Sequence, residues 1–159
     1  MPYKERALNF NDLSFDELDQ HAMERLVFDE EEISPILRGH IFIEKVLETL
    51  ISNNLEKPAA LFGRTRTFEL KVDLALAMGI INQKYYSAFK AINNIRNNYA
   101  HKHTYKVSIE ELSGFKFDWA DVQNQAFTVA CTKGPGEAAR IATIFLCWKA
   151  INLIKEPNA

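Results

Sequence analysis

Apolar residues recur at helical spacing along most of this chain, and no segment shows the sustained apolar–polar alternation that is typical of a half-buried strand. The clearest apolar stripe comprises Ile36, His40, Ile43, Leu47 and Leu50. Another segment, 137–156, is apolar nearly all round, which is typical of a helix at the centre of a bundle. These patterns predict an all-α, up-and-down bundle of about five to six helices.

The 159 residues suit a single domain with a substantial core. We expect an acidic N-terminal helix within 1–33, a core over 34–112 and a C-terminal core helix over 137–156. The segment 103–136 reads as irregular, and its part after residue 112 is open to either a short strand or a further helix.

Composition and charge narrow the class of protein. A net charge of −2 argues against a protein that coats nucleic acid without selectivity. The longest apolar runs are far shorter than the roughly 20 residues of a membrane span, and the first twenty residues contain no apolar segment typical of a secretory signal. Cys131 and Cys147 lack metal-ligand spacing. We therefore expect a cytoplasmic protein with reduced, structural thiols and no membrane partner.

Charge is unevenly distributed along the chain. Residues 1–33 contain ten acids and three bases, whereas residues 74–109 contain five bases and no acid. The second segment is either a basic patch that attracts phosphate or a set of cations that pair with acidic segments in the fold.

The stretch "AINNIRNNYAHKH", Ala91 to His103, closes a long helical pattern with four asparagines, one arginine and two histidines. On a helical wheel, Arg96 falls inside the apolar arc that must face the core or a partner. Asn93, Asn97 and His101 are spaced i, i+4 and i+8, so they form a polar strip beside that arc.

A guanidinium inside an apolar arc needs a carboxylate, a phosphate or a wet cleft, because it cannot be neutralised near pH 7. One interpretation is a salt bridge from Arg96 to Glu44, Glu48 or Asp73. His101 either caps the helix or exchanges a proton near neutral pH. In a rigid helix Arg96 and His101 lie about 140° apart. They converge on one ligand only if the helix ends between them or a second chain supplies one of them.

The residues "RNNYAH" resemble the Arg–polar–x–x–x–His motif of the HEPN superfamily, with Arg96, Asn97 and His101 at the motif positions. That resemblance implies a HEPN-like helical bundle, a homodimer with the motif at its seam and, in many members, metal-independent endoribonuclease activity.

The surrounding residues 36–112 are similar to the mannitol operon repressor family, in which a Phe-led helix and a polar turn precede a helix ending in the motif. Arg38 and Glu44 fit that family's arginine and acidic positions. The other matching residues are Phe68, Lys71, Leu74, Ala75, Gly79, Ile80, Ile81, Ile92, Ile95, Arg96, Asn97, Tyr99, Ala100 and His101.

The resemblance implies that His101 transfers a proton to or from ribose and that Arg96 stabilises charge on the phosphate. It also implies that Asn97 orients either the phosphate or His101. Lys90, Asn93, Lys102 and His103 form the predicted substrate-binding set. No metal or other cofactor is expected. The alternative is a non-catalytic transcriptional regulator or corepressor that resembles the mannitol operon repressor family and acts through a protein partner, with the acidic N-terminal region as the docking face.

Overall fold

A computed structural model of the protein describes residues 10–20, 33–102 and 105–155. Within these ranges the chain forms α-helices and one 3₁₀ turn, Ser113–Phe115, and no strand. Residues 15–20 are also helical. The prediction of an all-α fold is confirmed. The remaining helices are α1 (Ile33–Asn53), α2 (Ala59–Phe62), α3 (Phe68–Ala77), α4 (Gln83–His101), α5 (Ile109–Leu112), α6 (Asp121–Lys133) and α7 (Pro135–Lys155).

The segment predicted as irregular is largely helical where the structure describes it. Ser108 and Glu111 form a capping box that starts α5, as their spacing predicts. After residue 112 the sequence left open a short strand or a further helix, and the structure has the helix α6. This helix ends at Gly134, which has a φ of 118°. α2 and α5 have four residues each, too few for a periodic pattern to reveal.

α7 occupies the centre of the fold and packs against α1 and α6. Because its apolar side chains point in several directions, it is buried on most of its surface. Its buried residues are Ala138, Ala139, Ala142, Thr143, Ile144, Phe145, Leu146, Cys147, Ala150, Ile151 and Leu153. Burial raises the pKa of the Cys147 thiol, which is consistent with a packing role. Neither α7 nor any other helix within the described ranges has the length and hydropathy needed to cross a membrane.

α1 and α7 come close together at Gly39. A methyl group built on this glycine would lie 2.2 Å from Cγ2 of Thr143 and 3.7 Å from Sγ of Cys147. The absence of a side chain at Gly39 therefore permits the close approach of the two helices.

α4 packs against both α1 and α3. Asn82 begins it, since its side-chain oxygen accepts hydrogen bonds from the backbone N–H groups of Lys84 at 3.0 Å and Tyr85 at 3.1 Å. Ile92 and Ile95 are buried. The helix continues without interruption to His101, so the motif residues lie on one regular helix.

Of the acidic region 1–33, the structure describes residues 10–20 and Ile33. Ser14 accepts a hydrogen bond from the backbone N–H of Glu17 at 3.2 Å, as the capping pattern predicts. The ring of Phe10 packs on Phe42 of α1 at 5.2 Å, and Trp148 of α7 donates a hydrogen bond to Asp19. This segment is therefore anchored to the core.

We expect Gly39→Ala to lower the free energy of unfolding by about 1–3 kcal/mol, because the new methyl group overlaps Thr143. Urea unfolding followed by circular dichroism measures the change. In a Thr143→Ser background the same substitution should cost much less. Serine lacks Cγ2 and keeps the hydroxyl that donates to the carbonyl of Ala139 at 2.6 Å. Equal losses in the two backgrounds would show that this contact does not limit the approach of α1 and α7.

Candidate functional site

An open cleft of about 970 Å³ lies between α1, α4 and the segment 62–68. We call it the α1–α4 cleft. Three residues of the predicted site, Asn93, Arg96 and Asn97, line it. The charged and amide or imidazole side chains along it are His40, Glu44, Glu48, Arg64, Arg66, Glu69, Lys71, Asn93, Arg96 and Asn97.

Lys71 pairs with two of the carboxylates on the α1 side of the cleft. Its ammonium nitrogen lies 2.6 Å from Glu48 and 3.3 Å from Glu44, while its side chain is only 4% exposed. A buried ammonium is costly unless it is paired, so the two glutamates satisfy Lys71. They are then not available to Arg96.

Lys90, a predicted substrate-binding residue, is paired as well. Its ammonium lies 2.8 Å from Glu69 and 3.6 Å from Asp73 on α3. The hydrogen bond to Glu69 raises the pKa of Lys90 above its ordinary value. Lys84 likewise contacts Asp118 at 2.9 Å. The basic segment 74–109 thus pairs in part with acidic residues, which lie on α3 and in the turn before α6.

Arg96 has no carboxylate within ion-pair distance among the described residues. It donates a long hydrogen bond of 3.4 Å to the side-chain oxygen of Asn97, and its side chain is exposed. The salt-bridge interpretation is therefore wrong for the described carboxylates, because lysines occupy those that were its candidates. A carboxylate, a phosphate or a wet cleft would suit this guanidinium, and among the described residues Arg96 lies in a wet cleft.

His40 and Asn93 form a nearly buried pair at the base of the cleft. Nε2 of His40 lies 3.0 Å from Oδ1 of Asn93, and each residue is 7% exposed. The imidazole also stacks on Phe68, with ring centroids 4.0 Å apart. Because the asparagine oxygen only accepts, His40 is the donor and Nε2 carries its proton.

Burial lowers the pKa of His40 below its ordinary value of 6.5, because the charged imidazolium is poorly solvated there. The hydrogen bond to Asn93 and the charge of Glu44 oppose this shift, and the charges of Arg96 and Lys71 add to it. The net effect favours a neutral ring.

His101 and Lys102 lie at the exposed C-terminal end of α4, and they are not among the residues that line the cleft. His103 lies outside the described residues. Nearby, Tyr99 accepts a hydrogen bond from the backbone N–H of Val107 at 3.2 Å, which anchors the chain beyond the helix. Since α4 does not end between Arg96 and His101, only the second-chain route can bring these two side chains to one ligand.

Comparison with protein-family models, with curated proteins and with solved structures gives no match for this chain. The resemblance to the HEPN superfamily and to the mannitol operon repressor family therefore stays a prediction. Within the described ranges, no group of three or more His, Cys, Asp or Glu side chains is placed to hold a metal ion.

Sequence reasoning did not assign His40, Arg64 or Lys71 to the site, although all three line the cleft. His40 follows the apolar stripe of α1, so its spacing predicts a core residue. The one available signal was that it is a polar residue in an otherwise apolar stripe. Arg64 lies in the segment between α2 and α3, where no periodicity indicates a direction.

We expect the neutral His40 to make stability depend on pH. Below pH 6.5 the unfolded chain takes up a proton at His40, whereas the folded chain does not until the lower folded pKa is reached. The stability that the neutral pair contributes is thus complete above pH 6.5. It is lost as the pH falls from 6.5 through the lower folded pKa, by at most about 1.4 kcal/mol per pH unit.

Urea unfolding of the wild type and of His40→Gln between pH 5 and 8 tests this expectation. Subtracting the two curves removes the contribution of groups that the variants share. The difference in the free energy of unfolding should shrink on acidification. A difference that grows as the pH falls would mean that His40 is charged in the folded protein.

Proposed function

We propose that this protein binds RNA through the α4 face of the cleft and cleaves it without a metal, as the resemblance to the HEPN superfamily implies. The observation that carries the proposal is the state of Arg96. It is a permanent cation on a cleft wall with no carboxylate within ion-pair distance among the described residues. Its neighbours Lys71 and Lys90 are both ion-paired.

A guanidinium in this state suits a phosphodiester, because its forked N–H donors match two phosphate oxygens. The Asn97 side chain lies beside it at 3.4 Å and can support the same oxygen atoms. The three glutamates of the cleft would repel RNA, but Lys71 and Lys90 offset two of those three charges.

The reaction uses the RNA's own nucleophile. His101 takes the proton from a ribose 2′-hydroxyl, whose oxygen attacks the adjacent phosphorus while the bond to the 5′-oxygen of the next nucleotide breaks. That leaving oxygen receives a proton, from the second copy's histidine or from water. The products are a 2′,3′-cyclic phosphate and a 5′-hydroxyl, and Arg96 stabilises the charge that develops on the phosphate oxygens.

A second copy of the chain would complete this site. His101 lies at the end of the same uninterrupted helix, off the cleft that Arg96 lines. In a two-fold dimer, each copy can offer its Arg96 to the His101 of its partner. The resemblance to the HEPN superfamily implies the same arrangement.

We expect Arg96→Ala and His101→Ala each to lower cleavage of a labelled, structured RNA in EDTA by about 100-fold or more. Mixed and re-equilibrated, the two inactive variants should regain about a quarter of wild-type activity, because half of the dimers are mixed and each contains one intact Arg96–His101 site. The product should end in a cyclic phosphate. Lys84→Ala is the matched control, since it removes an exposed cation of α4 that pairs with Asp118 away from the cleft.

Cleavage by the wild type without recovery on mixing would place both groups in one chain and contradict the shared site. The absence of cleavage and of binding across several RNAs would contradict the function itself. That result would favour the regulator alternative, in which the motif shapes a dimer seam and protein partners do the recognition.

A further inference from the structure

Asn93 carries a hydrogen-bond donor, its amide NH₂ group, that no described residue accepts. The side chain is 7% exposed and lines the α1–α4 cleft. Its oxygen accepts a hydrogen bond from His40, and its amide nitrogen donates to none of the described residues. A nearly buried amide usually has partners for both of its ends. An unmatched donor on a cleft wall therefore points to a ligand that accepts.

His40 determines which end of the Asn93 amide faces the cleft. The neutral ring donates from Nε2 to Oδ1 at 3.0 Å, which directs the NH₂ group away from the ring. Stacking on Phe68 at 4.0 Å fixes the plane of the imidazole. His40 thus acts as a positioning residue for the amide. It is too buried to contact RNA itself.

Arg64 supplies a second cation to the cleft from outside α4. It is exposed and lines the cleft, and it forms no ion pair or hydrogen bond with the described residues. Nearby, Nε of Arg66 donates to the carbonyl of Leu61 at 2.8 Å, which ties the segment 62–68 to α2. Arg64 is therefore presented by an anchored segment.

We infer that Asn93, Arg96 and Arg64 form a phosphate subsite within one chain, with His40 as the residue that orients Asn93. Asn93 and Arg96 are spaced i and i+3 on α4, so they lie on one face of the helix. Their unpaired groups are all donors or cations, whereas the cleft's glutamates are engaged by lysines. This combination selects an anion with several acceptor oxygens over a cation or a neutral ligand.

The inference rests on the proposed function only for the identity of the ligand, a phosphate of the RNA backbone. The subsite would hold the phosphate that Arg96 contacts in the cleavage site, and His101, which is not part of its lining, would come from the second copy. Unlike the cleavage site, the subsite needs no second chain. Loss of the dimer should therefore abolish cleavage and leave phosphate binding.

NMR titration of the ¹⁵N-labelled full chain with inorganic phosphate, and separately with adenosine 3′-monophosphate, tests the subsite. Asn93→Asp replaces the donor with a carboxylate and should weaken binding by about 10- to 100-fold. Asn94→Asp is the matched control, since it makes the same chemical change at the neighbouring exposed position. It should bind both probes within about twofold of the wild type. Equal weakening by the two variants would overturn the subsite.

Arg64→Ala provides a second variant, at an exposed position where folding is not at risk. It should weaken the binding of both probes as well, and an unchanged affinity for them would remove Arg64 from the subsite. Comparing the probes identifies the source of the anion. Tighter binding of the nucleotide supports an RNA phosphate, whereas tighter binding of inorganic phosphate would overturn RNA as the ligand and leave a site for the free anion.

The positioning role of His40 has its own signature. The ring ¹⁵N shifts of the wild type should report the Nε2–H tautomer, and an Nδ1–H tautomer would mean that Asn93 turns its oxygen to the cleft. His40→Gln retains a donor for Asn93 and should keep most of the phosphate affinity. His40→Leu should lose it while circular dichroism remains unchanged. Equal affinity in these two variants would overturn the positioning role.

The outcomes separate the subsite from the proposed function. If the wild type binds and cleaves RNA but Asn93→Asp and Arg64→Ala do so equally well, the subsite is wrong and the function stands. If the wild type binds phosphate through Asn93 but does not bind RNA, the function is wrong and the subsite stands as an anion site.

Discussion

The close contact between α1 and α7 at Gly39 determines where the cleft lies. A side chain there would meet Thr143 of the central helix, so the glycine sets the depth at which α1 sits in the core. The next residue, His40, then points toward α4 and reaches Asn93. Two consecutive residues of α1 thus connect the packing of the core with the geometry of the candidate site. A shift of α1 would alter both at once.

Charge pairing divides the cleft into satisfied and unsatisfied groups. Lys71 and Lys90 engage Glu44, Glu48 and Glu69, and their two positive charges offset two of the three negative charges that would repel an anion. Lysine suits this task as a compact cation. The forked guanidinium of Arg96 remains on the wall, beside the directed amide of Asn93. The same fold therefore separates the cations that hold the structure together from those that can bind phosphate.

The sequence predicts the helices well because they are long and their apolar residues keep a regular period. The cap at Asn82 and the capping box at Ser108 also follow from local residue types. The sequence could not reveal α2, whose single turn is shorter than any period, whereas the equally short α5 is predicted by its capping box alone. The segment after residue 112 gave no decisive pattern, and there tertiary packing of Phe127 and Ala130 selects the helix α6.

The site was only partly predictable. Helical spacing put Asn93, Asn97 and His101 on one polar strip of α4, and of these Asn93 and Asn97 line the cleft. It put Arg96 in the core-facing arc, whereas the side chain of Arg96 is exposed. The reason is the cleft itself, which opens beside that arc and is formed by segments far apart in the chain. The partners of Lys71 and Lys90 and the pairing of His40 with Asn93 depend on the same long-range contacts. No local pattern contains that information.

The phosphate contact of Arg96 is tested most directly by the salt dependence of RNA affinity for the wild type and for Arg96→Gln, with Lys84→Gln as the matched exposed-cation control. Each phosphate contact made by a cation releases counterions, so the logarithm of affinity falls with the logarithm of salt concentration. If Arg96 contacts a phosphate, the slope for Arg96→Gln is shallower by about 0.7 to 1, and the Lys84→Gln slope equals that of the wild type. Equal slopes for all three proteins would contradict a phosphate contact by Arg96.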